Sequence, residues 1–591
     1  MSWSAPGFRT RPRARVRLAD RARLPRRSRN ARRRSFSHLS PIRPGHPRFP
    51  SIPPRDWLFP VNIVVTDPIE RLRQTLHEPV VFVGVDPNYA VGPEAWLRDY
   101  SAACRHETAA LSLLEARGLE VFCLEREVGP HNLPGRATAG VLTHPSLVAW
   151  MARKSSPAWM LVFKPDAAVE AAAAVHGWRI LGARAAVARP MENKVNFFRL
   201  LDELALPHPP WREVDLATES YAQVARDLGP RFVLQAAHGF SGNRTFPVDA
   251  PADFERASGL LARRRVRGSA RVEGLPVTMN ACVEADGRVR TAPLFYQITG
   301  APECTAYPMG ACGNDWAAPP PHDEAVDQAR GIARSVGRAL AGRGFRGIFG
   351  LDFVLTPEGR VSTIECNPRL VSSVPMASAL EVEAGAVPLL VSHLLATSEE
   401  GALVPSRAVP SRAVPSPSRA GTSLHASAHA VPSASALALS QAVVSAASPV
   451  STKPGDALPA EDIRASLRGA QMVLHALGQS ADAGPRRVAG GCLRATHRLE
   501  AGMYRLAGDG VAFQRHALRV TECCDESEFL VLPPSPGHVF APASECARVQ
   551  TRRSLIDLST GRLDAWGRSV ARAVYRALAL EPCESAESDG V

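Results

Sequence analysis

The chain has 591 residues, of which 45% are hydrophobic and 21% charged, a length that supports roughly two to four domains with ample core. Its formal charge of +13 is local: residues 1–50 hold fifteen arginines against one acid, Asp20, which gives that stretch +14 and the remainder −1, so the balance argues against a nucleic-acid-binding surface on the folded body. Eleven cysteines lack a paired spacing, which excludes a disulfide scaffold and fits a cytoplasmic chain with reduced thiols, and no apolar run approaches the ~18 residues of a membrane helix.

Residues 1–55 combine Arg, Pro and Ser without apolar periodicity and are expected to be disordered. The tail is read as coding sequence without a role, in preference to a transit peptide or a nucleic-acid-binding arm. Residues 56–190 read as a small α/β parallel-sheet domain. Its expected strands are 80–86, 119–124 and 159–163, with a helical stretch over 94–117. Gly84 and Asp86 at a strand end suit a ligand at the sheet's carboxyl edge or a simple turn. No G-x-G-x-x-G accompanies them.

From residue 191 the pattern changes. Met191-Glu192-Asn193-Lys194 opens a helix with apolar residues at Val195, Phe198, Leu201, Leu204 and Ala205, stopped by Pro207, Pro209 and Pro210. A strand over 231–235 ends at Gln235 and enters a loop holding His238, Gly239, Phe240, Ser241, Gly242, Asn243, Arg244 and Thr245. Backbone N–H groups of such a loop can surround phosphate oxygens, although a glycine hairpin turn has the same composition. Asp286-Gly287 then marks a hairpin between strands 274–283 and 287–290. Asn280 and Arg290 on it are candidate substrate or phosphate contacts, with a solvated strand face an equal account of Arg290. The segment 296–315, with Tyr296, Gln297, Cys304, Tyr307, Cys312, Asn314 and Asp315, is expected to be an acceptor-substrate loop.

The most informative stretch is a hairpin over 350–369, turned by Pro357 and Gly359. Side chains alternate along a strand, so Asp352 and Glu365 should face each other to within one residue of register. Opposed carboxylates repel unless a cation lies between them. Mg²⁺ removes that conflict, taking one or two carboxylates and completing its shell with water and phosphate oxygens. Asn367 adds an amide, and Arg369 a fork for phosphate or carboxylate.

A Glu-Asn-Lys helix start, a strand with a Gly/Ser-rich loop and a terminal hairpin with Asp352, Glu365, Asn367 and Arg369 together resemble the ATP-grasp superfamily, over about residues 191–395. The resemblance implies an α+β core of two lobes holding ATP, here expected over 191–396. It also implies that Lys194 touches the nucleotide phosphates with Gln235, Gly239, Ser241, Gly242, Arg244 and Thr245 around them, that Asp352, Glu365 and Asn367 ligate Mg²⁺ or Mn²⁺, and that Arg369, with Arg290, acts on the transferred phosphoryl group or substrate. Only four of the 70 basic side chains are lysine, at 154, 164, 194 and 453, so a lysine where the motif asks for a compact charge is an informative match. Two departures stand out. Gln235 is a neutral amide where the family carries a second lysine, a charge Arg244 would supply, and Glu273 lies nearer the following glycine than the adenine-contacting acid should.

Beyond the hairpin, one helix is expected over 371–395, a low-complexity Pro/Ser/Ala linker over 397–457, and a small C-terminal α+β domain over 458–582. The last holds a helix at 463–477, strands at 529–532 and 539–540, and a helix at 563–580, and is assigned to substrate closure or homodimer contact. The implied reaction is ATP- and Mg²⁺-dependent ligation of a small carboxylate, activated as acyl phosphate, to an amine. An ATP-dependent carboxylase, a kinase-like enzyme and a non-catalytic ATP or metabolite sensor are the alternatives.

Overall fold

A computed structural model describes residues 67–400, 463 and 466–583, apart from 131, 136, 155–157, 240, 241, 481–483, 487–491, 542 and 543. The Arg-rich tail and the low-complexity stretch beyond residue 400 therefore lie outside the described residues, while residues 397–400, expected as linker, are helical. No helix among those described is long and apolar enough to cross a membrane.

Helix α1 (Asp67–Thr75) precedes five parallel strands, β1 (Val80–Gly84), β2 (Tyr100–Cys104), β3 (Glu120–Cys123), β4 (Trp159–Val162) and β5 (Arg179–Leu181), in the order β3-β2-β1-β4-β5. The helices α2 (Ala109–Ala116), α3 (Leu124–Val128), α4 (Thr138–Leu142), α5 (Pro145–Met151) and α6 (Ala167–His176) connect or follow them. The single helix expected over 94–117 is instead the strand β2 followed by the short α2. Tyr100-Ser101-Ala102-Ala103-Cys104 is buried throughout, so it shows no alternation, and its small residues do not announce a strand.

Helices α7 (Ala185–Glu192) and α8 (Lys194–Glu203) meet at Asn193, whose side chain accepts from the backbone N–H of Val195 and Asn196 at 3.0 and 3.2 Å. That cap moves the helix start from Met191 to Lys194. A small antiparallel lobe follows, ordered β6 (Trp211–Asp215), β9 (Arg265–Ala270), β7 (Phe232–Gln235), β8 (Thr245–Val248), and covered by α9 (Tyr221–Leu228) and α10 (Pro251–Leu260). Val214, Phe232, Leu234, Phe254 and Val266 form its core.

Strands β10 (Leu275–Val283), β11 (Val289–Thr291), β12 (Phe295–Thr299), β13 (Ala311–Asp315), β14 (Gly347–Leu355) and β15 (Val361–Asn367) build the large lobe, backed by α11 (Asp323–Ala341). The predicted β10–β11 hairpin is present, with Gly287 at φ 86°. The predicted acceptor loop over 296–315 begins and ends in the antiparallel pair β12–β13, with Tyr296 opposite Asp315 and Gln297 opposite Asn314, and residues 300–310 connect the two strands. The helix expected over 371–395 is two, α12 (Val374–Glu383) and α13 (Leu389–Glu400), separated by Gly385 at φ 75° and by Pro388.

The large sheet does not stop at the low-complexity stretch. Strand β16 (Ala470–His475), expected as helix, pairs with β13, and the hairpin β17 (Gly478–Ser480) with β18 (Gly484–Arg486) follows it. With β19 (Cys492–Ala495), β20 (Gly502–Ala507), β21 (Gly510–His516), β22 (Phe529–Leu532), β23 (Val539–Phe540) and β24 (Glu545–Thr551) placed, the sheet runs β15-β14-β10-β12-β13-β16-β24-β22-β20-β21, with β11 on β10. Strand β16 is buried on both faces, and that erases the period that separates strand from helix. The final helix α14 (Ala565–Leu578) packs Val570, Val574 and Leu578 into the same core.

His393 on α13 is 2% exposed and its Nδ1 accepts the Ile348 backbone N–H at 3.0 Å. Burial pulls its pKa from 6.5 down to about 4. The unfolded chain therefore binds a proton that the folded chain refuses, and stability is lost as pH falls below 6.5 toward 4. Relative to a His393→Asn variant, the wild type should lose about 1 kcal/mol between pH 7.5 and 5.5, read from thermal or urea unfolding.

Candidate active site

The β14–β15 register places Asp352 directly opposite Glu365, and the bulge after Asp352 leaves Ile364 unpaired, since Phe353 faces Thr363. Asp352 Oδ1 accepts from Thr278 Oγ1 at 2.8 Å and from Gln297 Nε2 at 3.3 Å, while Oδ2 accepts from Asn367 Nδ2 at 3.1 Å. Burial, then the Glu365 charge, push Asp352 up to about 6 against the pull of Thr278, Arg369 and Lys194. Two carboxylates held at this spacing with an amide beside them form the oxygen-donor set that a hard divalent cation prefers, so these residues fit Mg²⁺.

Lys194, 5% exposed at the start of α8, donates from Nζ to Glu365 Oε1 at 2.8 Å. Its backbone N–H bonds the Ala237 carbonyl at 3.0 Å, which ties the helix start to the glycine-containing loop. Arg369 donates to Asn367 Oδ1 at 2.9 Å and to Glu192 Oε1 at 3.1 Å, and Lys164 reaches the same Glu192 at 2.7 Å. Burial raises the Glu192 carboxyl, but these two cations outweigh it and hold the pKa below its ordinary value. A line of alternating charge thus runs from the paired acids to the mouth of the parallel-sheet unit.

A cleft of about 570 Å³ is lined by Lys164, Gln235, Gly242, Thr245, Thr278, Gln297, Asp352, Glu365, Asn367 and Arg369. A recess of about 30 Å³ beside it is lined by Lys194, Gly239, Gly242, Arg244, Thr245 and Glu365. Gly242 has φ 73°, and a Cβ there would come within 2.6 Å of the Gly310 backbone. Only glycine lets the loop approach the large lobe so closely. Ser241 lies outside the described residues. Gln235 donates to Thr245 Oγ1 at 3.0 Å across the β7–β8 pair.

Arg290 is not among these groups. It sits on β11 opposite Cys282, and its guanidinium donates to Ser392 Oγ at 2.8 Å, to the Pro388 carbonyl and to the Val387 carbonyl. It clamps the turn between α12 and α13, on the sheet face of Thr278 and Asp352 but outside the cleft lining. Asn280, 1% exposed, likewise points to Ser373 Oγ at 3.0 Å.

Sequence reasoning missed Thr278 and Arg267, read Glu192 only as part of a helix start, and placed Gln297 in an acceptor loop rather than on β12. Thr278 was recoverable in principle, because extending the β10–β14 pairing brings it opposite Asp352. Sequence reasoning offered Asp86 as a ligand contact or a turn but not the other lining of a second chamber of about 210 Å³, with His106, His538, Glu545 and others, which shares Tyr89, Ser544 and Glu545 with the cleft. Behind that lining the buried Arg548 donates to Glu545 Oε1 at 2.8 Å, with its guanidinium 4.6 Å from the Tyr89 ring centre. Burial, then the charge of Glu545, push Asp86 up to about 7 despite Arg548.

His106, Glu125 and His538 converge at the edge of that chamber, with donor atoms within 4.8 Å of one another. Arg105, however, donates to Nε2 of His106. A neutral ring then keeps its proton on Nδ1, the atom that faces Glu125 at 3.5 Å.

No protein-family model matches the chain. Over 210 residues it is 29% identical to the carbamoyl phosphate synthase large chain of Rubrobacter xylanophilus, an alignment covering 34% of this chain and 19% of that one. The chain thus spans about a fifth of the length of this curated relative. Among solved structures, the biotin carboxylase domain of Hydrogenobacter thermophilus 2-oxoglutarate carboxylase, in complex with MgADP, ADP and bicarbonate, matches with a TM-score of 0.47 at 11% identity, over 81% of this chain and 86% of that one. N5-carboxyaminoimidazole synthase from Aspergillus clavatus, in complex with ADP and 5-aminoimidazole ribonucleotide, matches with a TM-score of 0.45 at 14% identity, over 80% and 94%. Within the chain itself, a parallel-sheet unit stands beside a small antiparallel lobe and a large lobe, and the large lobe carries the paired acids at a cleft shared with the small one.

Proposed function

We propose that this chain is an ATP-grasp ligase, cytoplasmic, that activates a small carboxylate with MgATP and joins it to an amine. The observation that carries the reading is Asp352 opposite Glu365, with Lys194 bonded to Glu365, at the floor of a cleft between two lobes. Phosphoryl transfer rests on positioning and on charge at the transferring group. Bound Mg²⁺ would supply Lewis-acid charge at the triphosphate oxygens, held by Asp352, Glu365 and Asn367.

The side chains carry the remaining work. Lys194 and Arg244 place positive charge at the recess under the loop, where N–H groups of the loop suit phosphate oxygens. Arg369 presents its fork beside Asn367, where it would orient the acid and the transferred phosphoryl group. The acid's oxygen takes the terminal phosphoryl group as ADP leaves. The amine then attacks the acyl carbon, phosphate departs, and the amine's proton passes to a base. The chamber of Asp86, Tyr89 and Glu545 adjoins the cleft, and we assign the acceptor to it.

Purified protein screened for ADP release against amino acids, small carboxylic acids and bicarbonate, each with and without an added amine, tests this function. A ligase releases ADP only with the correct pair, a carboxylase with bicarbonate, and a sensor with none. Lys194→Ala should weaken MgATP binding by on the order of tenfold or more, as expected for loss of a charge-assisted phosphate contact. Unchanged affinity by titration calorimetry would remove Lys194 from the site.

A further inference from the structure

Arg267 is a charged side chain that the reading so far does not use. It lies on β9 directly across from Gln235 on β7 and is 1% exposed. Its guanidinium donates to Gln235 Oε1, and Nη1 donates to the Ile364 carbonyl at 2.9 Å. Its Cζ lies 3.9 Å from the centre of the Phe198 ring on α8. Both hydrogen-bond acceptors are neutral, Nε has no hydrogen-bond partner, and among the described residues Arg267 forms no ion pair. The acid that acts on it through space is Glu365, which is already bonded to Lys194.

A buried cation resting on an amide and a carbonyl has given up its hydration without a bonded carboxylate in exchange. The fold retains it at one place, the seam between the small lobe and the acid hairpin. Two consequences of that placement bear on the cleft. Arg267 holds Gln235 by its amide oxygen, so the amide nitrogen is the end left for Thr245 Oγ1 and the cleft, and a side chain that could present either end is fixed as a donor. Arg267 also holds the carbonyl of Ile364, the unpaired bulge residue next to Glu365, so one guanidinium spans both lobes.

We propose that Arg267 is the buried cation that prepares this cleft for a polyphosphate anion, acting as a positioning residue that turns the Gln235 amide N–H groups toward the ligand and fixes the small lobe against the acid hairpin. The inference rests on the nucleotide reading above and deepens it. Residue 235 is neutral, and the compensating charge stands one strand away, behind it.

Titration calorimetry on the full chain tests this with MgATP and, separately, adenosine. Arg267→Met keeps the length and the contact with Phe198 but removes the charge. It should weaken MgATP binding at least tenfold while leaving adenosine binding within about twofold. Arg267→Lys should retain most of the affinity. The double variant Arg267→Met with Gln235→Lys, which returns a cation at the neighbouring strand, should recover MgATP binding to within a few-fold of wild type. MgATP binding by Arg267→Met equal to wild type overturns the inference alone. So does equal loss of MgATP and adenosine binding, accompanied by a lowered Tm and no recovery in the double variant, since that pattern describes a structural strut. A wild-type chain that binds no MgATP overturns the nucleotide reading together with this inference.

Discussion

Glu365→Gln should abolish MgATP-dependent turnover and destabilise the protein at the same time. Glu365 has two roles in the geometry: it faces Asp352 across the strand pair, and it accepts from the buried Lys194 at 2.8 Å. The neutral amide removes a charged donor from the metal set, and metal-dependent phosphoryl transfer without it should fall by a factor on the order of a thousand or more. It also leaves Lys194 as a buried cation without a carboxylate. Breaking such a pair from one side costs about 3–5 kcal/mol when both groups are fully buried. With the Glu365 side chain 20% exposed, about 1–3 kcal/mol is the expected loss in urea unfolding. A variant that keeps its stability but loses turnover would show that Lys194 finds another partner.

Asp352→Asn should lose turnover to a similar degree and yet make the ligand-free protein more stable. Its folded-state pKa is raised to about 6 from 3.8. Such a group contributes stability that is fully present below its unfolded value and lost as pH rises through its folded value. At pH 7 the ionised carboxylate is therefore a cost, set by burial and by Glu365, which the amide removes. Its Oδ1 would still accept from Thr278. The expected gain is about 1–2 kcal/mol, seen as a Tm a few degrees higher without Mg²⁺ and nucleotide, and the difference from wild type should shrink below pH 5. Opposite stability effects from two adjacent acids with the same loss of activity would separate a site built for a cation from a structural acid cluster. Equal destabilisation by both would point to the cluster.

The features legible in the sequence were those with local chemistry. The 350–369 hairpin carried its own turn residues, and two strands of known period fix which side chains oppose, so the Asp352–Glu365 pairing followed within a residue. Lys194 stood out because lysine is scarce in this chain. Strand β16 was misread as helix because it is buried on both faces, and β2 because small residues fill a closely packed parallel sheet. Arg290 misled because a basic residue on a hairpin next to a cleft looks the same in sequence whether it faces the ligand or clamps a helix turn. Arg267 was invisible for the opposite reason. Its partners, Gln235 and Ile364, lie 32 and 97 residues away on different sheets, and no periodicity joins them. The chamber of Asp86 and Glu545 is assembled from segments far apart in the chain, which no local pattern in the sequence joins.

Crystals of the wild-type chain soaked with Mn²⁺ and a non-hydrolysable ATP analogue test the central claim most directly, because manganese gives an anomalous signal where magnesium does not. The account predicts an anomalous peak between the carboxylates of Asp352 and Glu365, with the triphosphate against Lys194 and under the loop at Gly242. A peak elsewhere, or nucleotide bound away from the two acids, would contradict it.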